Sequence, residues 1–331
     1  MNLQNRIEVM CLLGDYLKKN DPEWQEIKLH ASQKNPWFTI DFIDTAVHNI
    51  CNSFLDLKKI NSWVNHYHLD DLITPKKIGI VMAGNIPLVG FHDFLTVFIS
   101  GHIQLIKLSS KDDILLSHLI SKIHEWAPST TESIFISEKL NGCDGYIATG
   151  SNQSAQHFEQ YFGKYPHIIR KNKTSVAILT GMENQETLKL LSKDIHLYFG
   201  LGCRNVTKIY VPTGYDFIPL LESFHEYKNF RELNKYASNY DYQLSILLLN
   251  NIHYMTNEST LLIEEKRIFS AIGMLHYEYY DNYETLVQSL KLDENIQCIV
   301  GEKNIPFGEA QQPDLFSYAD GIDTLQFLLS L

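Results

Sequence analysis

The chain has 331 residues, of which 44% are apolar and 20% charged, and a formal charge of −11. That length fits one large α/β domain or two medium ones, with enough apolar content for a sizeable core. The negative balance argues against non-specific binding to nucleic acid. The five cysteines, Cys11, Cys51, Cys143, Cys203 and Cys298, are widely spaced and form no CxxC pair. Neither a zinc site nor a disulfide framework is therefore expected, and a reducing cytoplasm fits. The first residues lack the basic-then-apolar layout of a signal peptide. The longest apolar stretch, Ile86 to Ile99, is interrupted by His92 and Asp93, so no membrane span is expected.

Residues 1–74 read as helical. Ile7, Met10, Cys11, Leu13 and Tyr16 form one apolar face at helical spacing. After a break at Asn35-Pro36-Trp37, Ile40, Phe42, Ile43, Ala46, Val47, Ile50, Cys51 and Leu55 form another. His66-Tyr67-His68 has no third ligand at metal-binding spacing and reads as a solvated turn or a satisfied core position. Beyond Thr74-Pro75 the pattern changes to short apolar runs, as expected of strands buried on both faces. Residues 77–82 form the first. A turn at 83–87 follows, with Pro87 suited to the first position of a helix reaching Ser100. Residues 102–108 form the second strand, and Ser109 and Ser110 are placed to cap a helix over 112–126. Further strands are expected at 133–136, 145–148, 167–170, 175–179, 206–211, 243–249 and 272–279, and helices at 155–162 and 183–195. Residues 305–331 read as a loop and a short tail. This alternation predicts parallel sheets with right-handed crossovers.

The stretch Tyr198-Phe199-Gly200-Leu201-Gly202-Cys203-Arg204-Asn205-Val206 carries the strongest chemical signal. A thiol on an irregular turn can lie beside backbone N–H groups that stabilise a thiolate and then an oxyanion. Cys203 therefore reads as a nucleophile. The competing reading is a small apolar residue opening a core strand. Gly200-Leu201-Gly202 is not a dinucleotide fingerprint, because it lacks the third glycine and follows a helix. A nucleotide is better placed at the C-terminal ends of parallel strands. Two turns have that layout and open helices that would attract phosphate: Lys107-Leu108-Ser109-Ser110-Lys111 and Thr149-Gly150-Ser151. Each also reads as an ordinary capped turn.

Taken together, these stretches resemble the aldehyde dehydrogenase superfamily. The matching segments are Ile78 to Pro87 with Asn85, Ile103 to Ser110 with Lys107, Tyr146 to Ser151, Phe199 to Cys203, and Pro306-Phe307-Gly308. All occur in that superfamily's order. Ala83-Gly84-Asn85-Ile86-Pro87-Leu88, Gly200 to Val206 and Tyr318-Ala319-Asp320-Gly321-Ile322-Asp323-Thr324 are closer still to the acyl-CoA reductases of the bioluminescence fatty-acid reductase family. The resemblance runs from roughly residue 35 to the end.

The resemblance implies an α/β, aldehyde dehydrogenase-like fold of two Rossmann-like parallel-sheet domains with helices on both faces. Residues 1–172 would hold the N-terminal helices and the NADP(H)-binding domain, and 173–304 the catalytic domain with the cysteine. Residues 305–331 would return to the first domain. The implied activity is NADPH-dependent reduction of a fatty acyl-CoA, or an acyl-protein thioester, to the aldehyde through an acyl-enzyme on Cys203. Asn85 would be an oxyanion donor, although it also reads as a helix cap before Pro87. Lys107, Ser109, Ser110, Gly150 and Ser151 would bind the cofactor. Oxidative members carry a water-activating glutamate where this chain reads Ile168-Ile169-Arg170-Lys171-Asn172-Lys173. NAD-preferring members often carry a glutamate where Ser110 stands, so a 2′-phosphate is tolerated. Ala155 replaces a glycine common in relatives near the Gly-Ser turn. An acyl-activating synthetase partner and a homo-oligomer are compatible with the resemblance. His92, His102 and His196 are read as packing or surface residues, with His196 the first choice should a proton donor be needed. The rival readings are a CoA-independent aldehyde dehydrogenase working oxidatively and a non-catalytic subunit of the same fold.

Overall fold

A computed structural model describes residues 1–71 and 73–331. The chain divides into two compact units, residues 1–172 with 312–331, and residues 173–311.

The first unit begins with four helices, α1 (Leu3–Lys19), α2 (Pro22–Lys34), α3 (Ile40–Ser53) and α4 (Leu57–His66). Each starts where a polar side chain accepts an otherwise orphaned first-turn N–H: Asn2, Asp21, Thr39 and Asp56. Their apolar stripes, with Met10, Leu13, Trp24, Ile43, Ile60 and Trp63 fully buried, share one core with the sheet that follows. That sheet is built from β1 (Lys77–Val81), β2 (Ile103–Lys107), β3 (Ile134–Ile136), β4 (Gly145–Thr149) and β5 (His167–Arg170). All pairings are parallel and the order is β3-β2-β1-β4-β5. Three crossover helices connect the strands: α5 (Phe91–Ser100), α6 (Ile114–Trp126) and α7 (Asn152–Phe162). The strand order reverses between β1 and β4, and in such sheets ligands bind beyond the carboxyl ends of the strands at that point.

Two local expectations fail here. Helix α5 starts at Phe91, not Leu88, because Leu88 has a left-handed backbone (φ 54°) and cannot continue a helix. Pro87 is therefore not at a helix start. Helix α6 starts after Asp113, so Ser109 and Ser110 lie in a turn before it and do not cap it.

Residues 312–331 complete this unit. The Trp63 indole N–H donates to the Tyr318 hydroxyl (2.8 Å), which donates to Tyr67 (2.9 Å), which donates to Asp323 (2.6 Å). A final helix, α12 (Thr324–Leu329), packs on α5. The buried Arg170 guanidinium donates to Asp93 of α5 (2.5 Å) and to Thr324 (2.8 Å).

The second unit has a sheet of β6 (Thr174–Ile178), β7 (Val206–Pro212), β8 (Met255–Thr256), β9 (Leu261–Glu264), β10 (Met274–Tyr280) and β11 (Ile296–Val300), in the order β11-β6-β7-β10-β9-β8. Only β8 is antiparallel, paired with β9. The helices are α8 (Gln185–His196), α9 (Ile218–Ser223), α10 (Asn234–Leu249) and α11 (Tyr283–Leu292). Residues 243–249, expected as a strand, are the last turns of α10. The run Ile246-Leu247-Leu248-Leu249 is apolar throughout, and such a run does not distinguish strand from helix by period. In the helix only Leu247 of the four is buried, while Leu248 and Leu249 are 57% and 82% exposed. Among the described residues no helix is long and apolar enough to cross a membrane.

Removing Asp93 would leave the Arg170 charge buried without its carboxylate. Asp93→Ala should cost about 3–5 kcal/mol of unfolding free energy in urea titrations. Thr324→Val, which removes only a neutral partner, should cost about 1 kcal/mol. Equal losses for the two variants would contradict this account.

Candidate active site

Cys203 lies in a turn that enters β7 at its N-terminal end. The turn is reached through a sharp reversal after α8. Tyr198, Phe199 and Gly200 all have left-handed backbones, with φ of 54°, 55° and 75°. Glycine adopts that conformation freely, but two consecutive aromatic residues do so at about 1–3 kcal/mol each. Packing holds them there: both are buried, and the Phe199 ring lies 4.6 Å from Phe230 and 5.7 Å from Tyr236.

Asn205 is the residue that organises the turn. Its side-chain oxygen accepts the Gly202 N–H (2.8 Å), and its amide donates to the carbonyls of Asp194 (3.0 Å), Ile195 (3.3 Å) and Leu197 (2.8 Å). One fully buried amide thus satisfies the carbonyl end of α8 and pins the backbone just before Cys203. The sheet holds the other side. The Ser175 hydroxyl donates to the Cys203 carbonyl (3.0 Å), and the Ser175 N–H donates to that of Asn205 (3.0 Å). Cys203 is half-buried, whereas Cys298, 3.0 Å from the Ser175 hydroxyl, is buried and its thiol is pushed up by that burial. None of the five cysteines forms a disulfide.

The Pro306-Phe307-Gly308 loop is tied to the same framework. Asp194, 1% exposed, accepts the N–H of Gly308 (2.6 Å) and of Ala310 (3.1 Å) through separate oxygens. Burial pushes its carboxyl up to about 7, against the pull of those two amides. Arg204 reaches the Ala310 carbonyl at 3.5 Å.

His196 does not suit the role of proton donor. It is fully buried, its Nδ1 lies 2.8 Å from the Ser192 carbonyl and its Nε2 2.8 Å from the Thr260 hydroxyl, and it stacks on Tyr227. Burial pushes it down to about 4, so it is neutral at physiological pH. It lines a shallow cleft with Phe199, Phe230, Tyr236 and Met274; Cys203 is not among the lining residues. His92 and His102 are packing residues of the first unit. His92 lies edge-on to Phe54 and Tyr318, and His102 bridges the Lys76 N–H and the Leu328 carbonyl.

The other candidate residues sit in the first unit, around the point where the strand order reverses. Asn85 lies in the loop leaving β1, half-buried, and no helix begins there for it to cap. Lys107 is the last residue of β2, with its side chain exposed; Ser109 is half-buried and Ser110 exposed beside it. Gly150 and Ser151 follow β4. The Ser151 hydroxyl caps α7 by accepting the Ser154 N–H (3.2 Å). A Cβ on Gly150 would stand 2.8 Å from that of Ser154 and 3.0 Å from the Phe158 ring, so the helix can pack this closely only on glycine. Lys107 and Ser110 are exposed in the stretch between β2 and α6. Of the two aspartates that follow, Asp112 is buried and Asp113 is paired with Lys34 (2.6 Å). Among the described residues no cluster of His, Cys, Asp and Glu is arranged to hold a metal ion.

The fold is that of the aldehyde dehydrogenases. Aldehyde dehydrogenase 21 from Physcomitrella patens, solved with the reaction product succinate, matches 92% of this chain and 74% of its own, with a TM-score of 0.67 and 14% identity. The glyceraldehyde-3-phosphate dehydrogenase GapN from Methanocaldococcus jannaschii, complexed with NADP, matches 90% and 75%, with a TM-score of 0.66 and 12% identity. The NAD+ complex of an aldehyde dehydrogenase from Bacillus cereus matches 92% and 73%, with a TM-score of 0.64 and 10% identity. No family profile matches the sequence, and neither does any curated protein.

Two predictions follow from the turn and its clamp. Asn205→Ala should cost about 3 kcal/mol, because several buried backbone groups lose their partner together, and should speed amide exchange at Gly202. Normal protection at Gly202 in that variant would refute the role given to Asn205. Asp194 titrates near 4 when unfolded and near 7 when folded. Its stabilising contribution is therefore largest below about pH 4, declines as the pH rises to about 7, and is flat above. Asp194→Asn should remove that part of the pH slope in thermal melts.

Proposed function

We propose that the protein reduces a fatty acyl thioester, acyl-CoA or acyl-protein, to the aldehyde with NADPH, through an acyl-enzyme on Cys203. The single observation that carries this reading is the Cys203 turn: a half-buried thiol on a backbone held by Asn205, Ser175 and a strained reversal. Such over-determined strain is characteristic of functional sites.

In this reading the Cys203 thiolate attacks the thioester carbonyl, the bond to the CoA sulfur breaks, and CoA leaves. NADPH, when bound, supplies the hydride that reduces the acyl carbon. Cys203 then leaves as thiolate from the resulting hemithioacetal oxyanion, and the aldehyde is released. The net consumption is one NADPH and one proton per thioester. Two steps of modest barrier replace one difficult step. The Asn85 side-chain amide and the Cys203 N–H are the oxyanion donors, a role in which each contributes about 3–4 kcal/mol. Lys107 and Ser110 bind the adenosine ribose and its phosphate, with Ser109 supporting them; Gly150 and Ser151 lie by the pyrophosphate.

The reductive direction is favoured over hydrolysis of the acyl-enzyme by segment 168–173, which has no carboxylate to activate water. Arg170, in that segment, is committed to Asp93 and Thr324. The reading includes a cytoplasmic setting, an acyl-activating synthetase as supplier of the acyl group, and a homo-oligomer.

NADPH oxidation by the purified protein should appear with acyl-CoAs and vary with chain length. Cys203→Ala should abolish it and prevent covalent acylation detected by intact-mass spectrometry. Asn85→Ala should still acylate but lose about 10²–10³ in kcat. Turnover by Cys203→Ala at the parent rate, or release of free acid from aldehyde and NADP without CoA, would overturn the proposal.

A further inference from the structure

Asp112 precedes α6, and its carboxyl is buried at the end of the β2 turn, 8% exposed as a residue. One oxygen, Oδ2, accepts the Leu88 N–H at 2.7 Å. The other, Oδ1, is buried and meets no hydrogen-bond donor among the described residues. Unsatisfied buried acceptors are rare enough in native structures to need an explanation.

The loop that Asp112 holds is the one carrying Asn85. Leu88 donates to Asp112 from a left-handed backbone, which a leucine adopts only under constraint. On the other side of Asn85, Gly84 lies flat against the same turn. A Cβ there would stand 2.5 Å from the Ser109 hydroxyl and 3.3 Å from the Asp112 Cβ. The turn is itself closed by the Asp112 N–H donating to the Ser109 carbonyl (2.9 Å). Asn85 is therefore bracketed by two contacts to the Ser109–Asp112 turn, and one of them ends on a carboxyl.

We propose that Asp112 is a proton-controlled positioning residue: protonated, it keeps residues 84–88 seated on the Ser109 turn, and ionised, it lets them lift away with Asn85.

The physical reason lies in the unmatched oxygen. A neutral carboxyl keeps the Leu88 bond and buries no charge. An ionised one keeps that bond but places negative charge on a buried oxygen that no donor of the described residues reaches. The charged groups nearby do not help. Asp113, next in the chain, disfavours ionisation and is itself paired with Lys34 of α2. Lys111 is exposed, and residues 83–90 bring no charge. Burial accordingly pushes the Asp112 carboxyl up to about 7. A carboxyl that titrates near 4 when open and near 7 when seated makes opening up to tenfold more favourable per pH unit between those values, and independent of pH above them. The inference rests on the proposed function only for what Asn85 does once seated.

The test is amide exchange of the full chain between pH 5 and 9, with each rate divided by the intrinsic rate of a free amide. The Leu88 opening equilibrium should rise toward tenfold per unit up to about pH 7 and then level. Asp112→Asn keeps an acceptor for Leu88 and should show no rise. Asp113→Asn should retain the rise with a lower midpoint. Should Asp112→Asn fail to fold, a 13C titration of the parent's Asp112 carboxyl must give the same midpoint as the Leu88 opening. A pH-independent Leu88 amide in the parent, a rise that persists in Asp112→Asn, or two different midpoints would overturn the inference. A separate kinetic arm reads kcat for NADPH oxidation, which should fall through the same midpoint in the parent but not in Asp112→Asn, while KM for acyl-CoA stays constant. Absence of turnover in the parent would sink the proposed function and leave the exchange result standing.

Discussion

The side-chain amide of Asn205 meets two needs that would otherwise conflict. The last carbonyls of α8 need donors once the helix stops, and the chain must reverse at once to enter β7. A water-filled end would loosen that reversal. A single amide, fully buried, donates to three carbonyls and accepts the Gly202 N–H. The strain at Tyr198 and Phe199 is then held between this amide on one side and aromatic packing on the other. The position of the Cys203 backbone is a consequence of that balance, not a property of the cysteine.

Each unit uses a buried carboxyl to hold a loop. In the second unit Asp194 takes two backbone amides on separate oxygens. In the first, Asp112 takes one amide and leaves an oxygen without a donor. Burial pushes both carboxyls up to about 7. Charge-assisted bonds to backbone amides are strong, and a carboxylate satisfied on both oxygens tolerates burial better than one satisfied on a single side. Burial dominates in both, yet only one of the two has an acceptor left over.

Much of the architecture is legible in the sequence because parallel strands buried on both faces leave unbroken apolar runs. Ile78-Gly79-Ile80-Val81 and Ser175-Val176-Ala177-Ile178 announce β1 and β6 in this way. The same signal misleads at residues 243–249, where an apolar run ends a helix. Strands as short as Met255–Thr256 carry too few residues for any period. Within the candidate site, Cys203 stands out by its chemistry and the turns near Lys107 and Gly150 by their place after strands. Asp112 and Asp194 do not stand out, and Asn205 is legible only as part of the Cys203 stretch. An aspartate before a helix, as Asp112 is, or in a helix's last turn, as Asp194 is, usually reads as solvated, and only the tertiary fold reveals that these carboxyls are buried. Leu88 hides its left-handed backbone because nothing about a leucine signals it.

The return of residues 312–331 to the first unit bears on how the molecule is made. The Trp63–Tyr318 bond and the Arg170–Thr324 bond join partners separated by most or nearly half of the chain. A ribosome delivers the helices and the five-stranded sheet early, but their closing segment emerges only after all of the second unit. During that interval the surface of α5 that will receive α12 stays bare, a transient apolar exposure of the kind that recruits chaperones. Translation pace across residues 173–311 is thus tied to the fate of a domain whose own sheet was finished long before.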